Sequence, residues 1–384
     1  MHTPARFLDL HVLQPVTAAN LNRDDNNEPK TIQVGNTTRA LVSSQSWRRP
    51  LRLAIETDLN EPAARTRMMP IVIADRLRDA GWPDDLAAFA SAQIVLSAKK
   101  GGLKHNTQQQ YRTQAMLYIP QDAADRLTEL CETFRPELEE ALTEHTASKK
   151  KTSPAPVLPT KTIAAELTRR TASISLFGRM LAELGDGHVE SAVQTAPAFT
   201  VNASELQPDF FTAVEDWPQD DDPGSAHLQT AYLTGGLFYR YSTVNITELA
   251  HNHNDTTVTL GELIELYVWH FIMSMPRAKA TSTAPHTIPD LVHYAVRDSR
   301  PISYSAAFEQ PVKAAPQGGY THPARQALAD YATTIDRLVG TRRRIAHGHT
   351  IAGTPINTFG THHTSFEDLA AACATAALTP TPAR

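Results

Sequence analysis

The residues best suited to chemistry lie between Arg23 and Arg52. From Lys30 to Arg52 the sequence carries five Lys and Arg residues and no Asp or Glu, in a chain whose formal net charge is -5. Ser43, Ser44 or Ser46 can cap a helix that starts here, accepting from its first unpaired backbone N–H groups. Such a helix places those amides, Gln45 and the guanidinium groups of Arg48, Arg49 and Arg52 within about two turns of one another. A helix N-terminus and Arg forks both suit an anion, so phosphate is the group this stretch would hold. The plain alternative is a capped surface helix with solvated arginines.

Other residues invite different chemistry. Asp24 and Asp25 could hold a divalent cation and, with a histidine pair, cut RNA as a metal-dependent endoribonuclease. Paired carboxylates in a polar loop more often cap turns or meet Arg, and that role is favoured here. The pairs His251/His253, His347/His349 and His362/His363 have no Cys or carboxylate partners at a diagnostic spacing, so no metal site is expected. There is no nucleophile elbow, no phosphate-binding loop and no dinucleotide fingerprint. Gly236-Leu237-Phe238-Tyr239-Arg240-Tyr241 has the aromatic content of a strand that stacks on bases and equally of one that packs in a core. Arg342-Arg343-Arg344 reads as a solvated basic loop.

The chain must position these residues with 384 amino acids, enough for two or three domains or for one with large insertions. At 41% hydrophobic residues it has ample material for a core. Cys131 and Cys373 cannot form a disulfide framework, which fits a reducing cytoplasm. No apolar run approaches a membrane span, and the N-terminus lacks an apolar signal segment. The pI near 6.3 argues mildly against nucleic acid, but charge is uneven and local fields outweigh the sum. Ser91 to Arg112 carries Lys99, Lys100, Lys104 and Arg112 without an acid, whereas Asp209 to Asp222 carries six acids and no base.

Phe7 to Gln14 alternates, with Leu8, Leu10 and Val12 on one face and Asp9 and His11 on the other, as in a half-buried first strand. Pro15 to Thr38 is polar and reads as a long loop. Pro50 is tolerable in the first turn of the helix that follows and costly further in. Residues 60 to 160 read as mostly helical. One helix covers Asp84 to Lys100, stopped by Gly101-Gly102, and a second covers Asp122 to His145 with a kink at Pro136. Lys149 to Pro159 reads as a connector. Ser173 to Leu176 begins another strand, reaching Met180. Val193 to Leu233 shows little periodicity and contains a Pro-Gly turn at 223–224. A strand over Gly235 to Ile246, a helix over Leu260 to Met273 and an alternating strand over Asp290 to Arg297 complete the pattern.

Several blocks in order resemble one family: His11-Val12-Leu13-Gln14-Pro15, Leu21-Asn22-Arg23-Asp24-Asp25, Ser43-Ser44-Gln45-Ser46 and Leu176-Phe177-Gly178-Arg179-Met180. They continue with Phe211-Thr212-Ala213-Val214, Gly224-Ser225-Ala226-His227-Leu228, Gly236 to Tyr241, and Met275-Pro276 with Ala278-Lys279. The chain resembles the CasC-type backbone subunit of the type I-E CRISPR surveillance complex, Cascade, a non-enzymatic RNA-binding protein of the RAMP superfamily. Residues 60 to 170 and the last 60 match only in general character.

The resemblance implies an α+β fold: a ferredoxin-like or RRM-like palm with a helical fingers insertion and an extended thumb hairpin. On that plan residues 1–58, 172–192 and 235–384 form the palm, 59–171 the fingers and 193–234 the thumb. It implies a protein that polymerises along a CRISPR RNA guide, in a helical backbone expected to be a hexamer, beside other Cascade subunits. The guide is presented for pairing with a target DNA strand in antiviral defence, in the cytoplasm, with no cofactor, metal or membrane. Sequence-blind guide binding uses phosphate and sugar contacts. Matching positions carry over Arg23, Lys30, Gln45, Arg48, Arg49, Arg52 and Lys279 as guide-backbone contacts, with Ser44 and Arg179 beside them. Thr37 and Thr281 depart from the pattern, standing where the family often has a base. Met180, Phe211 and Leu228 match apolar positions near the thumb and the guide's kinks. Burial of Met180 and Phe211 in the subunit's own core is the competing expectation.

Overall fold

The structure is a computed structural model that describes residues 6–148, 154–214, 225–253 and 258–380. The chain forms two compact units. The first comprises Met1–Ile55, Val193–Ala250 and Val258–Arg384, the second Glu56–Ala192 with His251–Thr257. The mixed α and β architecture read from the sequence is the one present.

The first unit is built on one large sheet. Its elements are β1 (Phe7–Ala19), β2 (Thr31–Val34), β3 (Thr37–Val42), α1 (Ser44–Asp58), β4 (Val193–Thr195), β5 (Ala198–Thr200), β6 (Gln207–Val214) and β7 (Ser225–Asn245). These are followed by α2 (Leu260–Met273), β8 (Leu291–Arg297), α3 (Thr321–Val339), β9 (Arg344–Ile351), β10 (Thr361–His362) and α4 (Phe366–Leu378). The order across the sheet is β10-β9-β8-β1-β7-β5-β3-β2, with β4 and β6 also paired to β7. All pairs are antiparallel except β9 with β10.

Both faces of the central strands are covered, and this corrects the reading of β1 as half-buried. Leu13, Tyr239, Tyr241 and Leu291 pack with Leu328, Ala332 and Ile335 of α3. On the opposite face α2 meets β7, where the Ser242 and Tyr267 hydroxyls lie 2.6 Å apart. Asp9 and His11 are therefore fully buried. Asp9 is satisfied there: Oδ2 accepts from Arg297 Nε at 3.2 Å and from the Ile302 amide at 3.1 Å, and Oδ1 accepts from the Tyr241 hydroxyl at 2.9 Å. Burial dominates and pushes its carboxyl up from the ordinary range. Strand β8, read as alternating, is buried throughout for the same reason. Polar residues at alternate positions mark solvent only where one face of a sheet is wet.

The stretch Pro15 to Thr38 is not one loop. β1 runs on to Ala19, and β2 and β3 form a hairpin whose two-residue turn is Gly35-Asn36, with φ of 57° and 58°. Two consecutive left-handed residues are what a type I′ turn requires.

The helix expected after the serines is α1. The amides of Ser46 and Trp47 donate to the Ser43 carbonyl at 3.0 and 3.4 Å, so Ser43 stands at its start. Pro50 lies in its interior rather than in its first turn. An interior proline costs about 3 kcal/mol, and Trp47, Leu51 and Ile55, buried at i, i+4 and i+8, offset it.

The second unit is largely helical, as read, with helices over Met69–Asp79, Asp84–Ser97, Ala123–Thr133, Arg135–Ala147, Thr160–Thr168 and Ala172–Phe177. Ile73, Leu77, Leu86, Ile94, Leu127 and Leu138 are central to its core. Two expectations change. Asp122 to His145 is two helices, because Pro136 opens the second instead of kinking one. Ser173 to Leu176 is helix, not strand: Thr171 caps it, accepting from the Ile174 amide at 3.4 Å, and Gly178 at φ 72° ends it. A short apolar run fits a buried helix as well as a strand. Of the connector read over Lys149 to Pro159, residues 149–153 lie outside the described residues.

Candidate nucleic-acid interface

Hydrogen bonds order residues 20–30 and tie them to the start of α1. Lys30 N donates to the Asn22 carbonyl at 2.9 Å, Ser43 N to Asn22 Oδ1 at 2.9 Å, and Ser46 Oγ to the Leu21 carbonyl at 3.3 Å. These bonds bring Arg23, Lys30, Ser44, Gln45, Arg48 and Arg49 onto one part of the first unit. Arg23, Gln45 and Arg49 are exposed, and Lys30, Ser44 and Arg48 are half-buried. Arg23 donates to Asn27 Oδ1 at 3.2 Å, and Ser44 Oγ to Gln45 Oε1 at 3.4 Å. Arg52, four residues beyond Arg48, is only 8% exposed. The other base of the stretch, Arg39, is fully buried and donates to the carbonyls of Thr200, Val201 and Phe308 at 3.0, 2.7 and 3.2 Å.

Asp24 has a structural task beside them. Its Oδ1 accepts from the amides of Asn26 and Glu28 at 2.9 and 3.0 Å, closing the loop that carries Arg23. Among the described residues no three His, Cys, Asp or Glu side chains come together to hold a metal ion. Asp24 is thus the turn-capping carboxylate that the structural reading expects.

β6 and the first half of β7 form a two-stranded arm, with Gln207 opposite Leu233 and Phe211 opposite Gln229. At roughly 3.3 Å per residue, the eight residues of β6 reach about 26 Å. Phe211 is 45% exposed and its neighbour Phe210 is 63% exposed, so the core reading of Phe211 does not hold. Leu228 of β7 pairs with Thr212 of β6; its side chain, the acids Glu215 to Asp222 and the Pro-Gly turn lie outside the described residues. The arm leaves the sheet at Gly236, whose φ of 150° and 2.7 Å clearance between a Cβ and Asn202 Oδ1 admit only glycine.

Lys279 is exposed at a left-handed φ of 53°, its carbonyl accepting from Ser282 N and Thr283 N at 3.1 and 3.0 Å. Lys279 and Phe211 line one cavity of about 220 Å³ at the arm's root, with Asn20, Asp209, Ser282 and Thr283. Nothing in the spacing of these residues announces that cavity. Pairing across β6 and β7 assembles it.

Arg179 and Met180 belong to the second unit and behave oppositely. Arg179 is 3% exposed, and its guanidinium donates to the carbonyls of Gly187, Tyr118, Arg169 and Thr168 at 2.8, 3.2, 2.9 and 2.7 Å. Burial lowers it to about 10. With its donors turned to backbone carbonyls, Arg179 holds the second unit together and does not present a charge to phosphate, which corrects its reading as an RNA contact. Met180 is 82% exposed. A fully presented methionine is an adaptable apolar surface, not a core residue.

The aromatic strand is core, as weighed: Leu237, Phe238 and Tyr239 are 1–2% exposed and Tyr241 is 8% exposed. Arg240 lies among them, 3.9 Å from the Trp47 ring centre and 4.7 Å from that of Phe271. It donates to Gln14 Oε1 at 2.6 Å and to the Phe271 carbonyl, and burial lowers it to about 9.

Comparison with known proteins adds the context. Among solved structures the chain is similar to one from a "CRISPR RNA-guided surveillance complex, pre-nicking", with 36% identity and a TM-score of 0.88 over 97% of this chain and 100% of that one. A second, from a "CRISPR RNA-guided surveillance complex", shares 34% identity with a TM-score of 0.77 over 96% and 99%. The search of curated proteins gives no match. The model for the CT1975-like protein family matches residues 8–372. With nearly its whole length matched in this way, the chain belongs to the CT1975-like protein family.

Proposed function

We propose that this protein is a guide-binding backbone subunit of a Cascade-type CRISPR surveillance complex. Copies of it assemble along one CRISPR RNA, six being the expected number, beside other subunits of the complex. It performs no chemistry of its own and holds the spacer for pairing with a target DNA strand. The observation that carries this reading is the end-to-end likeness to chains of CRISPR RNA-guided surveillance complexes. The cationic residues Lys30, Arg48 and Arg49, from a stretch without acids, support it together with Arg23, because guanidinium, ammonium and backbone N–H groups suit phosphate whatever the base. On this reading residues 1–58, 172–192 and 235–384 act as palm, 59–171 as fingers and 193–234 as thumb. Specificity for the target belongs to base pairing.

The test is the salt dependence of RNA binding by the full chain. Each phosphate contact on a single strand contributes about −0.7 to the log–log slope. Arg48→Ala with Arg49→Ala should lower its magnitude by about 1.4 and weaken guides of unrelated sequence alike. An unchanged slope, or a loss confined to one guide, would remove these residues from the interface. RNA cleavage with added divalent cation, lost in Asp24→Ala, would favour the endoribonuclease instead.

A further inference from the structure

The cationic surface is assembled from two stretches of chain, and one side chain joins them. Arg23 and Lys30 open and close a loop, whereas Ser44, Gln45, Arg48 and Arg49 belong to the first two turns of α1. Asn22, half-buried, stands between them. Its carbonyl accepts from the Lys30 amide at 2.9 Å and closes the base of the loop. Its side-chain Oδ1 accepts from the Ser43 amide at 2.9 Å, immediately before the helix. Within the loop the Asp24 carboxylate holds the Asn26 and Glu28 amides, and the Asp24 amide donates to the Glu28 carbonyl at 2.9 Å. The loop is thereby closed on itself. Its second tie to the helix, from Ser46 Oγ to the Leu21 carbonyl, is longer at 3.3 Å and comes from a hydroxyl that can rotate away.

What such a tie does follows from the ligand. A guide of any sequence offers the same group at every step, a phosphate at a spacing set by the sugar backbone. Cations that meet several phosphates of one strand must keep fixed separations, and each one that has to be ordered on binding lowers affinity. Arg23 donates to Asn27 within its own loop, and Lys30 has no side-chain partner among the described residues. Neither has an ion pair to place it, so the loop's position places both. An asparagine suits the joint, because its amide oxygen accepts without setting a negative charge beside phosphate-binding cations.

We infer that Asn22 is a positioning residue of the guide surface, holding Arg23 and Lys30 at a fixed separation from Arg48 and Arg49 so that the four engage one strand together. The inference rests on the guide-binding reading and adds to it a residue that acts through others. It asks for no preference among bases.

The experiment is a thermodynamic cycle on RNA affinity, measured at low salt with the full chain and two single-stranded RNAs of unrelated sequence. Asn22→Ala should weaken both about 10-fold, the size expected when one or two side chains must be ordered on binding. In an Arg23→Ala, Lys30→Ala background the same substitution should cost less than about 2-fold, since what it positions is gone. An equal loss in both backgrounds would overturn the proposal, because Asn22 would then touch the RNA itself or serve α1 alone. No loss in the wild-type background would overturn it as well. Ser43→Pro breaks the same bond from its other end, at a site preceded by strand, the conformation a residue before proline prefers. It carries the cycle if Asn22→Ala does not fold, and loss of the fold in both variants would make the tie purely structural and overturn the positioning role. Where both fold, the combined variant should bind no more weakly than either alone, and a further 10-fold loss would overturn the bond as the means. If Arg23→Ala with Lys30→Ala leaves affinity and salt slope at wild-type values, the guide-binding reading of this surface falls, and the role of Asn22 with it.

Discussion

The guanidinium of Arg240 stacks 3.9 Å from the centre of the Trp47 ring, and this contact seats the helix bearing Arg48 and Arg49 on the central strand. Arg240 is 3% exposed and also bonds Gln14 and the end of α2. Arg240→Ala removes a desolvated cation–π pair and strands those acceptors. We expect a loss of about 3 kcal/mol or more. Chemical denaturation of the RNA-free protein measures it. A loss below about 1 kcal/mol would mean that the helix is held from elsewhere.

Stability should also depend on pH through a row of histidines. His11, His293 and His349 stand opposite one another on β1, β8 and β9. Burial holds His11 and His293 well below the ordinary value of 6.5, and lowers His347 to about 4. Unfolded, the same residues titrate near 6.5. Below that pH the unfolded chain takes up protons that the folded chain refuses. Their contribution is therefore complete above pH 6.5 and is lost as pH falls towards 4. Asp9, pushed up by burial, acts in the opposite sense, but it is one group against four, since burial lowers His349 as well. The thermal midpoint should drop between pH 7.5 and pH 5, and less steeply in His293→Gln, which keeps a donor for the Gly348 carbonyl. A midpoint independent of pH over that range would contradict this account.

Two arginines named by the same sequence reasoning should give opposite phenotypes. Arg49 is exposed on α1, so Arg49→Ala should leave the midpoint within about a degree and reduce the salt slope. Arg179 donates to four carbonyls in the interior of the second unit, so Arg179→Ala should lower the midpoint by several degrees. Whatever fraction of it stays folded should show the wild-type slope. A slope reduced by Arg179→Ala at full stability would restore it to the interface.

Why the sequence spoke clearly in some places and not in others has a physical pattern. Helices with strong signals were legible: Leu260–Met273 is the span read, and the helix that begins at Asp84 is present, though it ends at Ser97, three residues short of the Lys100 read from the Gly101-Gly102 stop. Missed elements were those set by partners distant in sequence. β2 and β3 are short, and their Gly35-Asn36 turn was a local signal that the surrounding polarity obscured. Asp9 and His11 look solvent-facing because their side of the sheet is covered only by segments some 300 residues later, Ile302 and Tyr304 with the helix α3. For the candidate site, residue type located the basic surface, but exposure decided among its members. Nothing local separates Arg52 or Arg179, which are buried, from Arg49, which is open.

The last prediction concerns Met180 and Phe211. Both present apolar surface to solvent, at 82% and 45% exposure, and neither sits in the core that would otherwise explain it. If they separate bases where the guide bends, removing them should change the RNA and spare the protein. Exposed substitutions usually move stability by no more than about 0.5 kcal/mol, so Met180→Ala with Phe211→Ala should unfold like the wild type. Aromatic stacking on a base is worth about 1–3 kcal/mol in other single-strand binders, which predicts a measurable loss of RNA affinity from Phe211→Ala alone. Chemical probing of guide nucleotides gives the sharper readout. The wild-type assembly should protect most bases in a repeating pattern with reactive positions at regular intervals, and the double variant should blur that repeat. A double variant that keeps the repeat intact at full stability would show that the bends are set by the basic surface alone, leaving these two side chains without a part in them.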